Sequence, residues 1–102
     1  GKTLEQKREM QNVKDYYKFI KFAEAKIPPE ASFTLITRPE YRFSVERASY
    51  YLYPRRWLDK QATYLLLFDK MPNQAVLKNY KVIEQYRKGA YILKSKNNDD
   101  VF

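Results

Sequence analysis

Between Arg47 and Trp57 the chain reads Arg-Ala-Ser-Tyr-Tyr-Leu-Tyr-Pro-Arg-Arg-Trp, and no other segment restricts the fold so much. Three tyrosines, a leucine and a tryptophan surround a proline, with three arginines at the edges. That much aromatic surface does not suit a solvated linker. The segment reads as an amphipathic element that runs into a core and then stops abruptly, because proline disfavours helix before it and cannot continue one. If residues 40–53 are helical, successive side chains point about 100° apart. Tyr50, Tyr51 and Tyr53 then cannot all face inward, so at least one ring lies at a surface. Arg47, Tyr50, Tyr53, Arg55, Arg56 and Trp57 together form the candidate ligand or docking surface. The competing reading of the same residues is plain packing, with arginine stems laid over apolar area.

The remaining elements follow from periodicity and punctuation. Val13, Tyr16, Tyr17, Ile20, Ala23 and Ile27 recur at steps of three and four, which predicts a helix over residues 4–26. Thr3 and Gln6 have the spacing of a capping box, and Pro28-Pro29 ends the helix. Ser32 to Thr37 is a run of β-branched and aromatic residues, expected as a strand buried on both faces. Arg38-Pro39 opens a second helix, in which Tyr41, Val45, Ala48 and Leu52 share a face. Ala62 to Phe68 is the most apolar stretch and reads as the central strand. Strand, helix and strand in that order suit a parallel crossover unit. Ala75 to Tyr80 suggests one short helical turn. Lys81 to Arg87 and Ala90 to Ser95, joined at Lys88-Gly89, read as a hairpin.

The expected fold is therefore α/β, a small Rossmann-like mixed sheet of about four to five strands with two main helices and a C-terminal β-hairpin. Residues 13–96 form a single domain, residues 1–12 a helical extension toward an upstream region, and residues 97–102 a frayed tail. A chain of 102 residues supports one core of this kind.

Composition limits the chemistry. Histidine and cysteine are both absent, so no Ser-His or Cys-His nucleophile pair exists. A transition-metal site would have to rest on carboxylates alone. Glycine occurs only at Gly1 and Gly89, too few for a loop whose backbone cradles phosphate. No catalytic, cofactor-binding or metal-binding residue is assigned. Among the carboxylates, Asp69 ends the central strand, where open α/β sheets collect ligand-binding groups, and is a weak candidate polar site. Closing the turn at Met71-Pro72 is its structural alternative. Glu40, Glu46 and Asp59 have no spacing that singles out an acid/base pair.

The net charge of +8 is spread along the chain rather than gathered in a tail. Such a surface attracts nucleic acid or an anionic membrane, or serves solubility alone. Basic residues interleaved with aromatics make a single-stranded nucleic-acid module the alternative function, although no RNA-recognition consensus accompanies them. No apolar run is long enough to cross a bilayer. The opening Gly1-Lys2, without methionine, fits a piece of a longer protein.

Several stretches carry a resemblance. They are Ile27-Pro-Pro-Glu-Ala-Ser-Phe-Thr-Leu-Ile-Thr37, the segment Arg47 to Arg56, the strand Tyr64-Leu-Leu-Leu-Phe-Asp69 and the closing Gly89-Ala-Tyr-Ile-Leu-Lys94. Over residues 13–95 the arrangement resembles the soluble α/β region beyond the last membrane helices of polytopic bacterial proteins. Many of those proteins resemble membrane-embedded glycosyltransferases of the C superfamily, which use lipid-linked sugar donors. The resemblance implies a non-catalytic, extramembranous domain at the cell-membrane surface, the extracytoplasmic side being favoured. Its implied partners are the membrane-embedded portion of the same protein, a lipid-linked sugar or anionic lipid headgroups. The catalytic acid of that superfamily lies among membrane helices, so no catalytic residue is implied here.

Overall fold

The computed structural model describes residues 4–38 and 45–96, with side chains from Val13 to Arg38 and from Ala48 to Lys96. The elements are α1 (Leu4–Lys26), β1 (Ser32–Thr37), α2 (Val45–Leu52), β2 (Arg56–Trp57), β3 (Tyr64–Phe68), α3 (Gln74–Asn79), β4 (Tyr80–Arg87) and β5 (Ala90–Ser95). They build an α/β domain on one mixed five-stranded sheet in the order β2-β1-β3-β5-β4. β1 runs parallel to β2 and β3, while β5 is antiparallel to β3 and β4. The β4–β5 hairpin turns at Lys88-Gly89, where Gly89 has φ +91°. A side chain is disfavoured in that left-handed conformation.

The sequence dictates which face each element buries. On α1, Tyr16, Phe19, Ile20 and Ala23 fall on one side, and with Ile27 just beyond the helix they are almost wholly buried. That stripe packs on Phe33 of β1, on Tyr64, Leu66 and Phe68 of β3, and on Ala90 and Ile92 of β5. Ala48 and Leu52 of α2, four residues apart, close the same layer. Burial of each large side chain of this kind contributes about 1.5–3 kcal/mol, so this cluster dominates the stability. Val13 is exposed and Tyr17 only half-buried, whereas Phe19, absent from the predicted stripe, is buried.

The opposite face is thinly covered. Leu65, Leu67, Tyr91 and Leu93 form a second cluster against Val76 and Tyr80. The six-residue α3 covers β3 and β5 but not the length of β1. The expectation that β1 is buried on both faces is therefore corrected. Ser32 and Phe33 are buried, but residues 34–37 are only half-buried, while β3 in the middle is buried throughout.

One strand boundary shifts, and the expected start of the second helix lies outside the described residues. α2 is described from Val45, and residues 39–44, where Pro39, Glu40 and Tyr41 stand, lie outside the described residues. β3 begins at Tyr64 rather than Ala62. The strand β2 is absent from the sequence-based expectation, because two residues carry no periodicity to detect. Residues 97–102, expected to fray, and residues 1–3 of the expected extension lie outside the described residues; the helix of that extension is continuous from Leu4 into α1.

Candidate functional site

The C-terminal end of α2 is built by a division of labour within one short helix. Ala48 and Leu52 are fully buried, so the residues between and beyond them turn outward. Tyr50 is 79% exposed, Tyr53 80% and Tyr51 45%. All three rings that could not face inward together are at the surface. With Ser49 they line an open depression of about 720 Å³. The Tyr53–Pro54 peptide bond is cis.

This terrace is braced from below. Tyr51 meets Tyr50 edge-on, with ring centroids 5.6 Å apart, and meets Tyr17 of α1 at 5.4 Å. Tyr17 in turn contacts Tyr16 at 5.7 Å, and Tyr16 contacts Phe68 of β3 at 5.4 Å. Edge-to-face pairs in this distance range are favourable beyond simple area burial. An unbroken ladder of rings thus runs from the centre of the sheet to the exposed Tyr50.

Arg55 has a different task from its neighbours. Its Nε donates to the carbonyl of Ile27 at 2.7 Å and its Nη2 to that of Glu24 at 2.7 Å. Nη1 reaches the carbonyl of Leu52 at 3.3 Å. Those carbonyls end α1 and α2, where no intrahelical donor remains and the helix dipole is negative. One guanidinium therefore caps two helices, and Arg55 is turned inward rather than presented for docking. Arg56 is exposed at the start of β2, three residues after Tyr53. Trp57, 42% exposed, lines a separate groove on the thinly covered face of the sheet. The side chain of Arg47 lies outside the described residues. Of the six residues singled out in the sequence, Tyr50 and Tyr53 come together around the depression.

Asp69 belongs to a structural clamp. Arg87 Nη2 lies 2.6 Å from Asp15 Oδ2 and 2.7 Å from Asp69 Oδ1, while its Nε donates to Asp15 Oδ2 at 2.7 Å. The Tyr86 hydroxyl donates to Asp15 Oδ1 at 3.1 Å. The guanidinium also lies over the Phe68 ring, 5.0 Å from its centroid. Helix α1, the end of β3 and the hairpin are so tied at one point. Burial alone would lower the Arg87 pKa, but hydrogen bonds and charge from Asp69 and Asp15 outweigh it and hold the group above its ordinary value. Tyr86 is raised, first by burial and then by its bond to Asp15. Such an arrangement holds a cation in place; it does not leave a carboxylate aimed into a pocket.

Asp59 is exposed in the connection between β2 and β3, Glu40 lies outside the described residues, and so does the side chain of Glu46. Among the described residues, no group of three or more His, Cys, Asp or Glu side chains could hold a metal ion. No described helix is long and apolar enough to cross a membrane. No known family model, characterised protein or solved structure matches this chain.

Sequence reasoning counted Tyr51 among the three rings but left it out of the candidate surface, and it missed Ser49 as part of the terrace and Tyr17 as its support. A signal existed for Tyr17, which sits one residue off the fully buried stripe of α1. The groove on the second face, lined by Thr34, Ile36, Trp57 and Val76, was also missed. It arises from the shortness of α3, which no single residue announces.

Proposed function

We propose that this chain is a non-catalytic docking domain of a larger polytopic membrane protein, and that it rests on the membrane surface through the tyrosine terrace. The observation that carries this reading is the joint exposure of Tyr50 and Tyr53 on a braced aromatic base. Amphipathic rings of this kind suit a boundary where one end is apolar and the other wet. An exposed Arg56 close after Tyr53 in the chain and a net charge of +8 favour an anionic lipid surface. The two most elaborate polar clusters, at Arg55 and Arg87, are engaged in holding the fold together. Following the resemblance in its sequence, the larger protein would be a glycosyltransferase with a lipid-linked donor. This domain would then be an accessory or substrate-proximal part on the extracytoplasmic side.

Vesicle sedimentation tests the reading. The domain should bind phosphatidylcholine vesicles that contain phosphatidylglycerol, and bind pure phosphatidylcholine weakly. Replacing Tyr50 and Tyr53 by serine should weaken binding about tenfold while thermal melting stays unchanged. Equal binding by the parent and the double variant would refute the terrace as the contact. Tight, salt-sensitive binding of single-stranded oligothymidylate in place of vesicles would move the assignment to a nucleic-acid module.

A further inference from the structure

The sheet has one guarded edge and one open edge. At the guarded edge, β4 carries two register irregularities, between Val82 and Glu84 and between Gln85 and Arg87, and charged residues at Lys81, Glu84 and Arg87. Bulges and charges are how proteins keep an edge from pairing with a foreign strand. The other side is different. β2 pairs with β1 only at Ser32 and Phe33, yet β1 continues to Thr37.

Backbone groups alternate in direction along a strand. The N–H of Arg56 donates to the carbonyl of Ala31 at 3.2 Å, and that of Leu58 to the carbonyl of Phe33 at 2.9 Å. Odd-numbered residues of β1 therefore present their backbone to the β2 side. The N–H and C=O groups of Leu35 and Thr37 point the same way, past the end of β2. No strand lies there among the described residues. β3 meanwhile pairs with β1 from Phe33 to Thr37 on the inner side.

Beside this edge runs the groove on the thinly covered face, about 540 Å³ in volume. Thr34, Ile36 and Leu65 lie along it, the connection at residues 59–61 forms one wall, and α3 forms the other. Both walls are fixed. The Tyr80 hydroxyl donates to the carbonyl of Ala62 at 2.7 Å, and Asn73 Oδ1 caps α3 by accepting from the N–H of Val76 at 2.9 Å.

We propose that this edge and groove receive an extended acidic peptide of a partner protein, added to β1 at Leu35 and Thr37 with an alternate side chain lodged in the groove. Two donors and two acceptors spaced at a two-residue repeat are matched by another extended backbone, not by a lipid or a nucleotide. A strand added there would send successive side chains to opposite faces, and the groove lies on one of them. Acidity is favoured by Lys60, exposed in the groove wall, on a chain of net charge +8. Asp59 is the one carboxylate among the residues of the lining. This surface is separate from the tyrosine terrace, so either proposal can fail without the other.

The test is amide hydrogen exchange by NMR, with a blocked heptapeptide of alternating glutamate and valine as the probe. In the free domain the Thr34 and Ile36 amides should be protected and those of Leu35 and Thr37 should exchange at loop rates. The peptide should slow Leu35 and Thr37 about tenfold or more and shift the emission of Trp57, the only tryptophan in the chain. The same peptide N-methylated at alternate residues should do neither. Protection of Leu35 and Thr37 in the free monomer would overturn the proposal. So would an unchanged exchange rate with peptide, equal protection by the N-methylated or a lysine-valine peptide, or protection that appears with protein concentration alone, which would mean a second copy is the occupant.

Discussion

Replacing Arg55 by alanine separates a structural role from a docking one. The guanidinium makes two short bonds of 2.7 Å, to Ile27 and Glu24, and a longer one of 3.3 Å to Leu52. A charged donor to a carbonyl contributes about 1–2 kcal/mol net, less where water can replace it. Arg55 is only half-buried, so the two short bonds give about 2 kcal/mol and the long one little more. For a domain of this size that lowers the Tm by roughly 8–16 °C. Lysine keeps the charge but cannot span carbonyls on two helices, so Arg55→Lys should recover about half of the loss at most. Arg56→Ala, one residue away on an exposed strand, should change stability by about 0.5 kcal/mol or less. Calorimetric or circular-dichroism melting of the three variants reads this directly. If Arg55→Ala melts within a degree or two of the parent while losing vesicle binding, the capping argument is wrong and Arg55 belongs to the docking surface.

Other outcomes follow from the same geometry. Arg87→Met leaves Asp15 and Asp69 without their shared cation and should cost about 1–2 kcal/mol after allowing for partial exposure, read as a lower urea midpoint; an unchanged midpoint would mean the clamp contributes nothing. Gly89→Ala forces a side chain into φ +91°, with Arg87 Nη1 3.4 Å from the new Cβ, and should cost about 1–2 kcal/mol by the same measurement. Tyr16, Tyr80 and Tyr86 are all raised above the ordinary value of 10.0, burial being the main cause in each. Above that value the fold holds more protons than the unfolded chain, so stability is complete at lower pH and falls as pH rises through the folded values. Far-ultraviolet ellipticity should be lost as the last tyrosinate absorbance appears, and ionisation of every tyrosine without unfolding would contradict the assignment.

The elements with strong periodicity were legible from the residues alone. Pro28-Pro29 sets the end of α1, Ser32 to Thr37 and Ala62 to Phe68 read as strands, the second beginning two residues later than expected, and Lys88-Gly89 marks the hairpin. Exposure of at least one of the three tyrosines was legible, since a helix cannot bury three rings that point in different directions, but not that all three would be exposed. What stayed hidden depends on distances between segments. The inward turn of Arg55 follows from α1 ending where its guanidinium can reach, and the sequence separates Glu24 from Arg55 by 31 positions. Asp15, Asp69 and Arg87 are likewise far apart in the chain and meet only once the sheet is assembled. The open edge of β1 reflects the two-residue length of β2, which composition does not encode.

The partition of the cations changes what the net charge means. Arg87 is offset by two carboxylates and adds little to the field outside, whereas Arg55 keeps its charge but has its donors committed to helix-end carbonyls. Both are arginines, and both sites need a planar fork that bonds in several directions at once, which lysine cannot supply. Exposed cations such as Arg56, at the start of β2, and Lys60, beyond its end, contribute outward charge. A chain with neither histidine nor cysteine has thus placed its most specific polar geometry in the framework, and has left unsatisfied backbone and exposed tyrosine rings at the surface. The consequence is that variants of the framework arginines should act through melting temperature, and variants of the terrace through binding at constant melting temperature.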